Sequence, residues 1–310
     1  MPPSAGPWRD RPERSVLAVP ASNWRMIEKG VASDADVVFL DLEDAVAPAE
    51  KVASRANVVR AFQELNWGDK PRLYRTNGLD TPYFYRDLID VVEPAQGAVD
   101  LIMLPKCEGP QDVYVATKLL RQLELGLGLV RQIGLEVQIE SPAGLLNAVK
   151  IAAESPRIES LVFGPGDYAA SVGMPVAAIG GEDEWDAAYP GHRFHDVMHG
   201  ILVAGRAAGT RVIDGPYANF RDLDGLRQSA RRARALGYDG KWCIHPAQIP
   251  VVNEVFSPTS EEVAWAEQVV SRAAEAAAGG QGALQIDGIM IDAASVKMAE
   301  RTLRRVRPRR

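Results

Sequence analysis

Short apolar runs alternate with longer stretches of helical spacing along most of this chain. The runs cover residues 15–20, 37–43, 72–77, 101–106, 135–140, 161–167, 211–215 and 240–245. Most are nearly continuous in apolar character, as strands buried on both faces require. Between them, segments such as 48–65, 111–125, 144–154, 194–209 and 223–236 are rich in Ala, Leu, Arg and Glu at helical intervals. Eight strand–helix alternations predict an α/β fold of the (β/α)8 TIM-barrel type rather than an open doubly wound sheet. Beyond the eighth run, 259–278 reads as a helix and Gly279-Gly280-Gln281-Gly282 as a flexible break. A short apolar stretch, 285–292, then leads into a last amphipathic helix from 293 to about 306. The expected organisation is a disordered lead-in at 1–13, a barrel at 14–278 and a C-terminal helical lid at 279–310. The lid would cover a barrel mouth, its own or a neighbour's.

Composition narrows the class. A hydrophobic content of 46% with 25% charged residues is that of an ordinary globular enzyme. A net charge of −6 gives no electrostatic reason to expect nucleic acid or an anionic membrane as a partner. No run approaches the about 18 apolar residues of a membrane span. The Pro-rich N-terminus lacks the apolar core of a signal peptide. Cys107 and Cys243 are too few for a disulfide framework and form no CxxC, which suits a reduced, cytoplasmic chain. The basic stretch at 301–310 reads as a solvated terminus.

Chemistry is expected at the strand ends, which share one face in a barrel. Many runs end in a polar residue: Glu43 and Asp44, Arg75 and Asn77, Lys106, Glu140, Asp167, Asp214, His245. Glu140 and Asp167 stand about one strand–helix–strand unit apart, so both carboxylates would emerge at the same edge. Two hard oxygen ligands with room for water and substrate describe a magnesium site. The competing reading makes Glu140 a cap for the helix that starts at Ser141-Pro142, and puts Asp167 in a Gly-rich turn. Asp41, Glu43 and Asp44 form either a solvated loop or acceptors for metal-bound waters and a brace for an arginine. Arg75 can neutralise such a carboxylate, or stabilise a developing enolate oxygen with charge-assisted hydrogen bonds. Arg25 and Lys29, four apart on the first helix, either hold phosphates or form a surface charge pair. His192, His195 and His199 fall at i, i+3 and i+7, but packing or hydrogen-bonding roles suit them better than a metal. His245, before Pro246, reads as a hydrogen-bonded structural residue. Gly126-Leu-Gly128 follows a helix, not a strand, and is no dinucleotide fingerprint.

Seven segments stand out together: Asp41-Leu-Glu-Asp-Ala-Val46, Arg75-Thr-Asn77, Leu104-Pro-Lys106, Gln138-Ile-Glu140-Ser-Pro142, Gly164-Pro-Gly-Asp-Tyr168, Lys241-Trp-Cys-Ile-His-Pro246 and Met290-Ile-Asp292. With them the chain resembles the HpcH/HpaI aldolase and citrate lyase β-subunit-like family of CoA-ester lyases. The stretches 189–195 and 214–220 are similar to its malyl-CoA/β-methylmalyl-CoA lyase branch. Pro20-Ala21-Ser22 departs from the family's Pro-Gly-Ser near the CoA. The resemblance implies the barrel fold, magnesium on Glu140 and Asp167 with manganese able to substitute, and Arg75 at the reacting centre. It also implies Arg25, Lys29 and Gly166 at the substrate, and trimer-based oligomers, either trimers or hexamers. In these the C-terminal segment covers a neighbour's mouth and Asp292 is the acid/base. From the sequence alone Asp292 reads as a helix N-cap. The implied reaction is reversible Claisen-type cleavage of a 3-hydroxyacyl-CoA to glyoxylate and acetyl-CoA or propionyl-CoA. A malyl-CoA thioesterase, a citramalyl- or citryl-type lyase, and a β-subunit acting on a carrier-bound acyl group are the alternatives.

Overall fold

The computed structural model describes residues 11–189, 191–280 and 282–306. Most of the expected lead-in and the last four residues of the basic stretch therefore lie outside the described residues. Eight parallel strands close into a barrel: β1 (Ser15–Pro20), β2 (Val37–Asp41), β3 (Arg72–Arg75), β4 (Leu101–Leu104), β5 (Gly134–Ile139), β6 (Ile158–Phe163), β7 (Arg211–Asp214) and β8 (Gly240–Cys243). The closing pair sets Leu17 against Cys243, and at the mouth Pro20, Asp41 and Arg75 lie in register across β1, β2 and β3. The helices of the barrel unit are α1 (Trp24–Val31), α2 (Lys51–Glu64), α3 (Phe84–Ala95), α4 (Pro110–Leu127), α5 (Pro142–Ala153), α6 (Pro165–Ser171), α7 (Glu184–Ala188), α8 (His195–Ala208), α9 (Leu223–Leu236) and α10 (Ile249–Phe256).

The strands stop earlier than the apolar runs. The run at 161–167 ends as a strand at Phe163, because Pro165 offers no ladder N–H and instead opens α6. Asp167 is therefore in the first turn of a helix, not at a strand end. Glu140 lies between β5 and the Ser141 cap of α5.

Val16, Val37, Phe39, Leu73, Leu101, Met103, Val162, Ile213 and Trp242 form one buried cluster along seven of the strands. Strand β5 differs: its buried residues include Glu136 and Gln138. Glu136 meets the segment before β1. Arg11 donates to Glu159 (2.8 Å), Glu136 (3.0 Å) and Glu13 (3.2 Å), and Arg211 donates to Glu13 (2.5 Å) and Glu159 (3.3 Å). Burial, and then the neighbouring Glu13, push the Glu136 carboxyl well above the ordinary range. Residues 11–13 are thus part of the barrel's floor, a correction to the expected disordered lead-in.

The chain divides into two compact units, one ending at Glu254 and one beginning at Val255. The second holds α11 (Ser260–Ala278), an antiparallel hairpin of β9 (Leu284–Ile286) and β10 (Ile289–Ile291), and α12 (Ala293–Val306). Asp287 and Gly288 make its two-residue turn with φ of 49° and 83°, the left-handed pair such a turn demands. Ala266 and Val269 of α11 pack with Ile286, Ile291 and Ala299. This shared core places α11 with the C-terminal segment, so the boundary lies before it and not at 278. A capping box between Thr259 and Glu262 starts α11.

Candidate active site

The mouth is organised around a buried arginine. Arg75 ends β3, 4% exposed, with its guanidinium over the rings of Trp242 and Phe39 at 5.4 and 5.7 Å. Asp41, its register partner at the end of β2, receives both Nε and Nη2 at 2.7 Å, a two-pronged bond that fixes the fork. Burial alone would favour a neutral arginine, but Asp41 and then Glu43 and Asp44 raise its pKa, so the cation is secure. Burial is the largest single influence on Asp41 too, but the Arg75 charge, its hydrogen bonds and the Glu43 and Ala45 N–H groups together outweigh it, holding that carboxyl below the usual range. The loop 41–44 is therefore a brace for Arg75 rather than a solvated turn. Lys51, at the start of α2, ties the loop down through Glu43 O (2.7 Å), Leu42 O (3.0 Å) and Asn77 Oδ1 (2.6 Å).

Glu140 is buried, and its two oxygens have different holders. Oε1 accepts from the Lys106 backbone N–H at 2.7 Å, and Oε2 accepts from Gln138 Nε2 at 2.6 Å. Lys106 adopts φ 52° to aim that N–H, a left-handed conformation a non-glycine residue enters only under constraint. Gly164 is needed opposite: a Cβ there would come within 2.3 Å of Glu140 Oε2. The helix cap is Ser141, whose Oγ accepts from Gly144 N at 3.1 Å, so Glu140 is not spent on capping. Burial pushes the Glu140 carboxyl up to about 8; Arg75 opposes this, and Asp167 and Glu43 add to it.

Asp167 is half-exposed and lies 3.8 Å from Lys106 Nζ. The same ammonium bonds Glu43 and sits 3.3 Å from Asp44, and these charges raise its pKa against the pull of burial. Burial lifts Glu43 to about 7. Its Oε2, 2.9 Å from Arg75 Nη1, receives no well-directed hydrogen bond. The structure thus gathers Asp41, Glu43, Asp44, Glu140 and Asp167 around two cations, Arg75 and Lys106. That surplus of hard oxygen charge suits a small dication, and Glu140 with Asp167 could supply its protein ligands. Among the described residues no group of three His, Cys, Asp or Glu side chains forms a metal cage.

Other expected residues stand apart. Arg25 and Lys29 are exposed on α1, and Lys29 is a turn further along the helix than Arg25. Gly166, in the first turn of α6, allows Ile179 to approach; a Cβ would meet it at 2.9 Å. Of the three histidines, His195 and His199 stack on α8 at 5.9 Å while His192 precedes the helix, so no shared helical face arises. His245 accepts from Ala247 N at 3.1 Å and stacks on Phe220. Asp292 belongs to the second unit, exposed, where its carboxylate caps α12 through Ser295 N (2.9 Å) and Oγ (3.0 Å). Gln138, Lys51 and Lys106 are the mouth residues that sequence reasoning gave no role. For Gln138 a signal was present: Glu136, Gln138 and Glu140 alternate through β5 at the period of one sheet face.

These features have counterparts in known proteins. The family model for HpcH/HpaI aldolase/citrate lyase matches residues 14–246. An L-malyl-CoA/β-methylmalyl-CoA lyase of Cereibacter sphaeroides is 42% identical over 94% of this chain and 93% of that protein. A (3S)-malyl-CoA thioesterase of the same species is 34% identical over 94% of each. Among solved structures, CitE of Mycobacterium tuberculosis in complex with magnesium, acetoacetate and coenzyme A superposes with a TM-score of 0.74 at 30% identity, covering 96% of this chain and 98% of that one. The match runs through every strand of the barrel and through the motifs that build its mouth, and the chain belongs to the HpcH/HpaI aldolase/citrate lyase family.

Proposed function

We propose that this protein is a magnesium-dependent CoA-ester lyase that reversibly cleaves a 3-hydroxyacyl-CoA, malyl-CoA or β-methylmalyl-CoA, to glyoxylate and acetyl-CoA or propionyl-CoA. The observation that carries this reading is a charged Arg75, held by a two-pronged bond to Asp41, close to a buried Glu140 on which Asp167 also acts. Glu140 and Asp167 would hold the metal, manganese being able to replace magnesium, and Glu43 and Asp44 would accept hydrogen bonds from groups around it. When bound, the metal supplies Lewis-acid polarisation of the 2-oxo acid's carbonyl.

The protein's own groups do the rest. In the synthetic direction Asp292 takes a proton from the acyl-CoA α-carbon, and the electron pair moves onto the thioester oxygen. Arg75 donates charge-assisted hydrogen bonds to that enolate oxygen, a charge absent from the ground state. The enolate carbon bonds to the glyoxylate carbonyl carbon, and the resulting alkoxide takes up the proton that Asp292 removed, becoming the hydroxyl and returning Asp292 to its carboxylate. Cleavage is the reverse. Asp292 would serve the mouth of another copy in a trimer or hexamer, and Arg25, Lys29 and Gly166 would contact the CoA ester.

The test is a magnesium-dependent assay on a panel of malyl-, β-methylmalyl- and citramalyl-CoA with all products resolved. Glyoxylate with acetyl-CoA or propionyl-CoA, abolished by a chelator, is expected. Free malate without glyoxylate would instead support the thioesterase reading that the 34% identical relative raises. In the same preparation an Asp292→Asn variant should stop proton exchange at the acyl-CoA α-carbon; retained exchange would assign the base elsewhere.

A further inference from the structure

Gln138 stands between the two groups on which the proposed reaction depends. It is 3% exposed, on the middle polar step of β5. Its Oε1 accepts from Arg75 Nη1 at 3.3 Å, and its Nε2 donates to Glu140 Oε2 at 2.6 Å. Only one amide orientation satisfies both neighbours. Flipped, the NH2 would face a guanidinium, which has no acceptor.

We propose that Gln138 is a positioning residue that insulates Arg75 from Glu140, bonding to both so that they do not bond to each other. Arg75 already attracts Glu140 electrostatically across the amide. In a buried site of low dielectric that attraction is strong, and opposite charges with nothing between them close into a direct pair. Such a pair would occupy a prong of the arginine's fork and a lone pair of the glutamate together. The remaining restraints on Glu140 would not prevent it: the Lys106 N–H holds the other oxygen, and Gly164 contributes space rather than a bond. On the arginine side, Asp41 binds Nε and Nη2, while Nη1 faces Gln138 at 3.3 Å and Glu43 Oε2 at 2.9 Å. The amide thus supplies a neutral partner at the one point where two useful charges face each other.

This inference rests on the reading of Glu140 as a metal ligand and Arg75 as the enolate's partner. Gln138→Met, close in volume and unable to make either bond, is the variant of choice. Magnesium binding by calorimetry should weaken about tenfold or more, the range for removing a residue that orients a metal ligand. The kcat should fall by a comparable factor while KM for the acyl-CoA, set largely by the distant CoA end, stays near wild type. Its crystal structure should show Arg75 Nη1 directly on Glu140. Wild-type magnesium affinity and kcat, with Arg75 and Glu140 unmoved, would overturn the proposal. Should Gln138→Met not fold, Gln138→Asn, too short to span both groups, carries the same expectations. If the unaltered protein binds no magnesium, the functional reading fails, and the Arg75–Glu140 separation in the variant crystal still decides this inference.

Discussion

The barrel has two charged ends, and the same strand serves both. At the floor, Glu136 of β5 joins Glu13, Glu159, Arg11 and Arg211 in a network built from direct arginine–carboxylate bonds. At the mouth, four residues further on, Glu140 is held by an amide and a backbone N–H, neutral donors both. The floor brings its opposite charges into contact. The mouth braces Arg75 with Asp41 and keeps it off Glu140. Burying a charge is costly unless it is paired, and burial raises a carboxyl at each end, Glu136 well above the ordinary range and Glu140 to about 8. What sets the mouth apart is that Glu140 has neutral donors while a braced cation, Arg75, stands close by, an arrangement suited to a ligand.

The comparison can be broken most forcefully at the floor. Arg211→Met would leave Glu13 and Glu159 buried with less counter-charge, and should cost about 3–5 kcal/mol of stability, measured by denaturant unfolding. The kcat of the enzyme that remains folded should not change. A kcat loss larger than the loss of folded protein would show that the floor communicates with the mouth. Arg75→Lys is the matching change at the other end. It keeps the charge but cannot form the fork, so kcat should fall on the order of 10²-fold with far less effect on unfolding than Arg211→Met. Equal effects on stability would erase the distinction drawn between the two ends.

A subtler difference concerns pH. Without metal, the folded-state pKa of Glu140 lies near 8, above the ordinary carboxylate value. The folded protein therefore binds a proton that the unfolded chain has already released, so this contribution to stability is full below about 4.5 and is lost as pH rises towards 8. Glu140→Gln removes the titration. In the presence of chelator its Tm should match or exceed wild type at pH 8, the gap narrowing as pH falls. A Tm below wild type at pH 8 would mean the Glu140 carboxylate is stabilising.

The sequence made the barrel legible because parallel strands buried on both faces leave long apolar runs, and all eight were found within a few residues. Their ends were overextended where a Gly-Pro step, as at Gly164-Pro165, ends a ladder inside an apolar run. Acid and arginine positions at the mouth could be read from strand ends and from motifs. The floor could not, because Arg11 sits in a Pro-rich stretch that reads as solvated and is covered only when Glu136 of β5 and Glu159 of β6 come to meet it. The second unit's boundary was misplaced for a similar reason. Gly279-Gly280 is a conspicuous break, but α11 shares its core with the hairpin and α12 on the far side of it.

The most direct test of the account is calorimetric titration of magnesium into the wild-type protein, Glu136→Gln and Glu140→Gln at pH 8. Both changes replace a buried carboxyl, one within β5 and one just past its end, by an isosteric amide at opposite ends of the barrel. Glu136→Gln should bind magnesium with wild-type affinity, and Glu140→Gln should show no measurable binding. Equal affinities in the two variants would contradict the account.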